Sequence, residues 1–280
     1  MTAMRPCQLC ETEMEPHLIQ GSTRRLWTCQ NCGMFHAEKE EAAATLSFQP
    51  REEGRSDSET ILSRMKATLS QETTQLRMLH VNCHLGQMLC TAEKRGWKAL
   101  GVDPRRKAVD LCRSRGLSVF HATAERLPFE SSSFHVVFAD QVIDRAENAG
   151  RALKEWKRVL RTGGLLYLSA INWESKSASD VSCKDWTAEQ RFGFTTKNLG
   201  RLAERSGFEF AAPNILGEKR WAGLLDSVVS SFGGGNRRAN KNSRGESILE
   251  LVMRKPLSGS GEANHSQRNS ARAALSLIHI

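Results

Sequence analysis

Two pairs of cysteines are the first residues here whose type and spacing could do chemistry. Cys7-x-x-Cys10 and Cys29-x-x-Cys32 are separated by eighteen residues. Each x-x spacing lets one turn aim two sulfurs at a single ion, and four thiolates complete a tetrahedral zinc shell. Gly33 suits the tight turn after the second pair. His17 and His36 are spare ligands beside a set that is already full, and a redox-active pair is the alternative reading. Leu18-Ile19 and Arg25 to Thr28 can form a hairpin between the pairs, giving a zinc ribbon over residues 1–45. So short a segment draws most of its folding energy from the metal. A second chemical position is Asp103, at the end of the apolar run Ala99, Leu100, Val102. An acid at the carboxyl end of a strand in an α/β sheet can accept hydrogen bonds from both hydroxyls of a ribose.

The elements that position Asp103 begin at Leu76. Met78, Leu79, Val81 and Cys83 read as a buried strand, Gly86 as a turn, Gln87 to Arg95 as a helix, and Ala99 to Val102 as the next strand. The unit is half of a nucleoside-binding α/β fold. Pro104 opens a further helix to Arg115, closed by Gly116, and Leu117 to Phe120 is the third strand. Phe134 to Ala139 is the fourth, followed by a loop from Asp140 to Asn148. Arg151 to Leu160 is a helix, Gly163-Gly164 a turn, and Leu165 to Ala170 the fifth strand. Thr196 to Ser206 is a helix capped by Thr195 or Thr196, Phe208 to Ile215 the sixth strand, and Ser247 to Met253 the last.

These pieces, in this order, resemble the class I S-adenosylmethionine-dependent methyltransferases of the small-molecule type. Gly101-Val102-Asp103-Pro104 is similar to the family's second motif, and Ala124 to Phe129 with Ser133 to Val137 is similar to its third and fourth. Glu155 to Leu168 resembles the helix, Gly-Gly turn and strand that follow. The resemblance implies a Rossmann-like seven-stranded sheet with helices on both faces and an antiparallel last strand, here preceded by the ribbon. It implies S-adenosylmethionine as cofactor, with Asp103 and Pro104 at the ribose, and the turn Asn82, Cys83, His84 and Gly86 around the methionine end. Ala124 and Glu125 would border the adenine. Asp140 would lie at the cofactor, and Gln141, Asp144, Trp173 and Gln190 toward the methyl acceptor, although a packing role for Trp173 is equally open.

The ligand-facing positions depart from the family's pattern. Its first motif reads acid, apolar, Gly, small, Gly, variable, Gly, and this chain has His80, Val81, Asn82, Cys83, His84, Leu85, Gly86. Thr123 stands where an acid near the adenine is usual, Asp144-Arg145 replaces a Glu-His pair, and Glu189-Gln190 replaces an Arg-His pair. The histidines at 80, 84 and 135 occupy cofactor or packing positions, so no catalytic base is assigned. Two functions remain in view: methyl transfer to a small molecule, and a methyltransferase-like scaffold that binds a protein partner.

Composition sets the outer bounds. At 280 residues, with 39% hydrophobic and 25% charged residues, the chain holds one α/β domain plus an appendage. No apolar run is long enough for a membrane span, the start lacks a signal peptide's apolar core, and a cytoplasmic location is expected. Residues 46–75 read as a polar linker and a helix, Glu59 to Leu69, that caps the cofactor mouth or packs on the sheet edge. Residues 76–256 are the methyltransferase-like domain and 257–280 a disordered tail. The net charge is +9, and from Asn236 onward eight Lys and Arg face three Glu. Without interleaved aromatic residues, this basic stretch argues for solvation over nucleic-acid binding.

Overall fold

The computed structural model describes residues 5–18, 25–38, 55–69, 75–173, 189–211 and 248–257. Ile19 of the expected hairpin, the sixth strand beyond Ala211 and the tail beyond 257 lie outside them. The ribbon strands are β1 (Arg5–Pro6), β2 (Glu13–Leu18), β3 (Arg25–Thr28) and β4 (Phe35–Ala37). Helix α1 (Arg55–Thr68) follows. Then come β5 (Arg77–Val81), α2 (Gln87–Lys94), β6 (Lys98–Asp103), α3 (Arg106–Ser114), β7 (Val119–His121) and β8 (Phe134–Ala139). The chain continues through α4 (Ala149–Val159), β9 (Leu160–Ile171), β10 (Phe192–Gly193), α5 (Thr196–Arg205), β11 (Glu209–Phe210) and β12 (Ile248–Arg254).

Seven strands form the main sheet in the order β11-β12-β9-β8-β5-β6-β7. β5 to β9 pair in parallel, and β12 runs antiparallel to both β9 and β11. Side-chain alternation sorts residues to the two faces. Met78, Val136, Phe138, Leu165 and Tyr167 join α1, α2 and α3 on one face, where Leu62, Met65, Leu89, Val109 and Cys112 are buried. Leu79, Val137, Ala139, Leu166 and Leu168 join α4 and α5 on the other, with Leu153, Trp156, Leu199 and Leu202.

Several boundaries differ from expectation, two of them for reasons visible in the structure. The Gly163-Gly164 turn is a bulge inside β9, so the fifth strand starts at Leu160 and not at Leu165. The pairing of β8 with β9 jumps between Phe134–Leu160 and Val136–Leu165, and Gly163 takes φ 77°. A Cβ on Gly164 would lie 2.8 Å from the Arg161 carbonyl oxygen and 3.0 Å from that of His135, so the bulge needs glycine there. The third strand pairs from Val119 to His121 and not from Leu117 to Phe120. The helix read from Arg151 begins at Ala149, because Asn148 caps it by accepting from the Arg151 N–H at 2.8 Å.

The ribbon packs as part of this architecture. Its sheet runs β1-β2-β3-β4-β10, so its last strand comes from the far end of the chain. Phe192 pairs with His36 and Gly193 with Phe35, while the next residue, Phe194, bridges Asn172 beyond β9. Leu9, Met14, Trp27 and Met34 share one core with α4, α5 and the main sheet.

Candidate functional site

The cysteine centre is built from two matching knuckles. Cys7 N–H donates to the Thr12 carbonyl and Cys29 N–H to that of Met34. Glu11 N–H returns to the Cys7 carbonyl and Gly33 N–H to that of Cys29. Both turns need a left-handed residue, supplied by Glu11 (φ 63°) in one and Gly33 (φ 70°) in the other. The four sulfurs lie within 4.8 Å of one another, with Cys7–Cys32 at 3.5 Å and Cys10–Cys29 at 3.3 Å. Tetrahedral zinc with bonds of about 2.3 Å asks for sulfurs about 3.8 Å apart, so the donor set fits that ion. The knuckles dock on the main domain through three polar contacts. Gln8 Oε1 accepts from Ala149 N–H at 3.2 Å, Asn198 Nδ2 donates to the Cys32 carbonyl at 3.5 Å, and Arg205 donates to the Leu9 carbonyl.

The second site lies at the carboxyl ends of β5, β6, β8 and β9, where an open α/β sheet binds its ligand. Between β5 and α2, Asn82, His84 and Gly86 all have positive φ, at 53°, 48° and 76°. These are the three positions that the family's first motif fills with glycine, so the backbone keeps its path although two side chains changed. Asn and His enter this region more readily than most residues, at a cost of about 1 kcal/mol each. Cys83 is wholly buried, and its N–H donates to the Val102 carbonyl at 3.0 Å. A Cβ on Gly101 would lie 2.7 Å from the Cys83 sulfur, which is why β6 can pass so close beneath the turn.

Asp103 is fully buried, and both of its oxygens are engaged. Oδ1 accepts from Arg105 N–H at 3.0 Å and Nε at 2.8 Å. Oδ2 accepts from Arg105 Nη2 at 2.8 Å and from His84 N–H at 3.0 Å. Arg105 Nη2 also lies 2.8 Å from His84 Nδ1. Burial opposes the charge on Arg105, but hydrogen bonds to Asp103, the Asp103 charge and that of Glu189 raise its pKa overall. Pro104 beside them is partly exposed. The sequence marked Asp103, and nothing in it marked Arg105, whose role appears only when its side chain folds back over residue 103.

The segment expected at the adenine is braced from α4. Trp156 Nε1 donates to the Ala124 carbonyl at 3.0 Å, and Glu155 Oε1 accepts from Leu127 N–H at 2.8 Å. Arg158 grips Glu155 through Nε and Nη2 and donates to the Phe129 carbonyl at 2.8 Å. The Arg158 hydrogen bonds hold the Glu155 carboxyl below its usual pKa, against burial and with help from Leu127 N–H. Glu125 Oε1 accepts from Glu147 N–H at 2.7 Å, tying this segment to the loop after β8.

In that loop, Asp140 Oδ1 accepts from the Ser169 hydroxyl, which itself accepts from Gln141 N–H at 2.9 Å. Gln141 takes φ 50°. Asp144 is buried, and its carbonyl accepts from Arg191 N–H at 2.8 Å and Phe192 N–H at 2.9 Å. Gln190 Nε2 lies 3.4 Å from Asp144 Oδ2. Gln190 is thus brought to Asp144, as placement of both at the acceptor requires. Trp173 goes elsewhere: it is 2% exposed, with its ring 5.9 Å from Phe35 and against Gly193, a packing residue between β9 and the ribbon. The histidines are also accounted for. His80 is buried edge-on to Phe138, and burial, aided by His84 and opposed by Asp103, lowers its pKa to about 3. His135 Nδ1 accepts from Arg77 N–H at 3.0 Å at the amino end of β8, away from the crevice.

Residues 79–168 match a family model described as a methyltransferase domain. A ubiquinone biosynthesis O-methyltransferase of Agrobacterium fabrum is 28% identical over 103 residues, covering 35% of this chain and 41% of that protein. The chain spans less than half the length of the first curated relatives it matches. The crystal structure of the [4+2]-cyclase SpnF superposes with a TM-score of 0.52 at 18% identity, over 73% of this chain and 81% of its own. An S-adenosylmethionine-dependent methyltransferase from Mesorhizobium loti superposes at 0.50 and 18% identity, over 72% of this chain and all of its own. With the strand order, the left-handed turn and the acid at the end of β6, residues 79–168 carry a methyltransferase domain by the family-model match, and the superpositions show the same α/β fold.

Proposed function

We propose that the chain moves a methyl group from S-adenosylmethionine to a small-molecule acceptor. The observation that carries this reading is the turn from Asn82 to Gly86. It keeps left-handed backbone at all three glycine positions of the family motif and sits directly against Asp103. A turn released from cofactor binding has little reason to hold left-handed backbone at Asn82 and His84, where two of the three glycines are gone. Bound S-adenosylmethionine supplies an activated methyl group on a sulfonium. The residues of this chain bind, orient and exclude water. Asp103 would hold the ribose, Asn82 to Gly86 the methionine end, and Ala124 and Glu125 the adenine edge. Asp140, Gln141, Asp144 and Gln190 would face the acceptor. The fit of the four sulfurs supports structural zinc in the ribbon. Among the described residues no helix is long and apolar enough to cross a membrane.

One observation favours a second reading, a scaffold that no longer uses the cofactor. Arg105 and His84 fill every acceptor direction of Asp103 that ribose hydroxyls would need. Calorimetric titration with S-adenosylhomocysteine separates the two. Micromolar binding that Asp103→Ala weakens about tenfold or more supports transfer. No heat and no thermal shift at millimolar ligand removes it and leaves the scaffold.

A further inference from the structure

The loop after β8 holds a guanidinium whose donors are not all used. The Arg145 side chain is 9% exposed, yet its Nε and Nη2 meet no hydrogen-bond partner among the described residues. Its third nitrogen, Nη1, stands 3.8 Å from Glu189 Oε2, an ion pair too long for a hydrogen bond. Buried polar donors are almost always paired, so two on one side chain point to a missing acceptor. The two are also a matched set. Nε–H and Nη2–H run parallel along one edge of the guanidinium, spaced to meet both oxygens of a carboxylate.

The location gives that edge a meaning. Arg145 follows Asp144 in the loop that leaves the carboxyl end of β8. Glu189, its ion-pair partner, also acts electrostatically on Arg105, which covers Asp103. Glu189 thus links the Arg145 and Arg105 guanidiniums electrostatically. Glu189 is 29% exposed, so it can balance Arg145 without using the Nε–Nη2 edge. Glu189 faces the guanidinium, Asp144 precedes it and Glu147 follows two residues on, where Arg191 lies 3.9 Å from the Glu147 carboxylate. Such surroundings accept a monoanion more readily than a dianion.

We infer that Arg145 is a specificity residue that receives a carboxylate of the methyl acceptor side-on through Nε and Nη2. The acceptor class is then a small molecule bearing a carboxylate. This rests on the methyl-transfer reading for its purpose, but the anion site itself can be tested without the cofactor.

The test uses the full chain with benzoate, benzamide and phenyl phosphate as probes, titrated by calorimetry with and without saturating S-adenosylhomocysteine. Benzoate is expected to bind at least about tenfold more tightly than benzamide, its neutral isostere. Arg145→Lys keeps the charge, loses the fork, and is expected to weaken benzoate about tenfold. Arg145→Gln is expected to abolish it, with the circular dichroism spectrum unchanged. Equal binding of benzoate and benzamide would overturn the inference. So would no benzoate binding at about 10 mM, or an Arg145→Lys protein indistinguishable from the parent. Preference for phenyl phosphate over benzoate would replace the carboxylate by a phosphate and also overturn it. If benzoate binds as expected while S-adenosylhomocysteine does not, the methyl-transfer reading fails and the anion site stands.

Discussion

At the scale of single residues, the decisive contact is between Arg105 and Asp103. The carboxylate is shielded by its own chain, so a ribose must displace the guanidinium to reach it. Arg105→Ala should therefore have two opposite effects. The apo protein loses the partner of a buried charge and should be destabilised by about 3 kcal/mol. Its affinity for S-adenosylhomocysteine should rise, because no internal donor competes, and a urea melt with a paired titration reads both. His80 gives a pH prediction. Its folded pKa of about 3 lies below the ordinary 6.5, so between these values the unfolded chain binds the extra proton. Stability from this group is complete above pH 6.5 and lost as pH falls toward 3, at up to about 1.4 kcal/mol per pH unit. His80→Leu should flatten the fall between pH 7.5 and 5 in urea melts, relative to the parent.

At the scale of elements, α4 braces the segment from Ala124 to Phe129. Arg158 reaches two of its carbonyls and also fixes Glu155, which takes the Leu127 N–H. Arg158→Ala should leave the fold intact and weaken S-adenosylhomocysteine about tenfold, with hydrogen exchange rising at residues 124–129 and not in the sheet. Such elements were legible in the sequence where a pattern alone decides them. The two-face alternation of β8 and β9, the cysteine knuckles and the antiparallel last strand follow from apolar spacing and from the family resemblance. The bulge at Gly163 was not legible, because a Gly-Gly pair reads equally well as a turn. For Trp173 the sequence left packing and an acceptor role equally open, because its neighbour, Phe35, lies in a segment that local reasoning treats separately. Arg145 was visible only as half of the Asp144-Arg145 departure from a family Glu-His pair, since an arginine beside an acid in a loop reads as solvated until its burial is known.

At the scale of the whole molecule, the ribbon and the methyltransferase sheet are fastened by β10. The same two residues that pair with β4 precede Phe194, which bridges to Asn172, and Phe192 N–H also donates to the Asp144 carbonyl in the loop after β8. Metal should consequently stabilise more than the ribbon. Purified protein is expected to contain one zinc per chain by elemental analysis. Cys29→Ser should lower the melting temperature of the entire unit and expose Phe192 and Phe194, detected as increased binding of a hydrophobic dye. The shared sheet also has a consequence in time. The ribbon leaves the ribosome first, yet Asn198, which donates to the Cys32 carbonyl, is 166 residues downstream. At about 5–20 residues per second, that partner follows some 10–30 s later. Through that interval the knuckles would have only their own hydrogen bonds and a bound ion to hold them, so ion availability during synthesis is expected to govern the yield of folded chains.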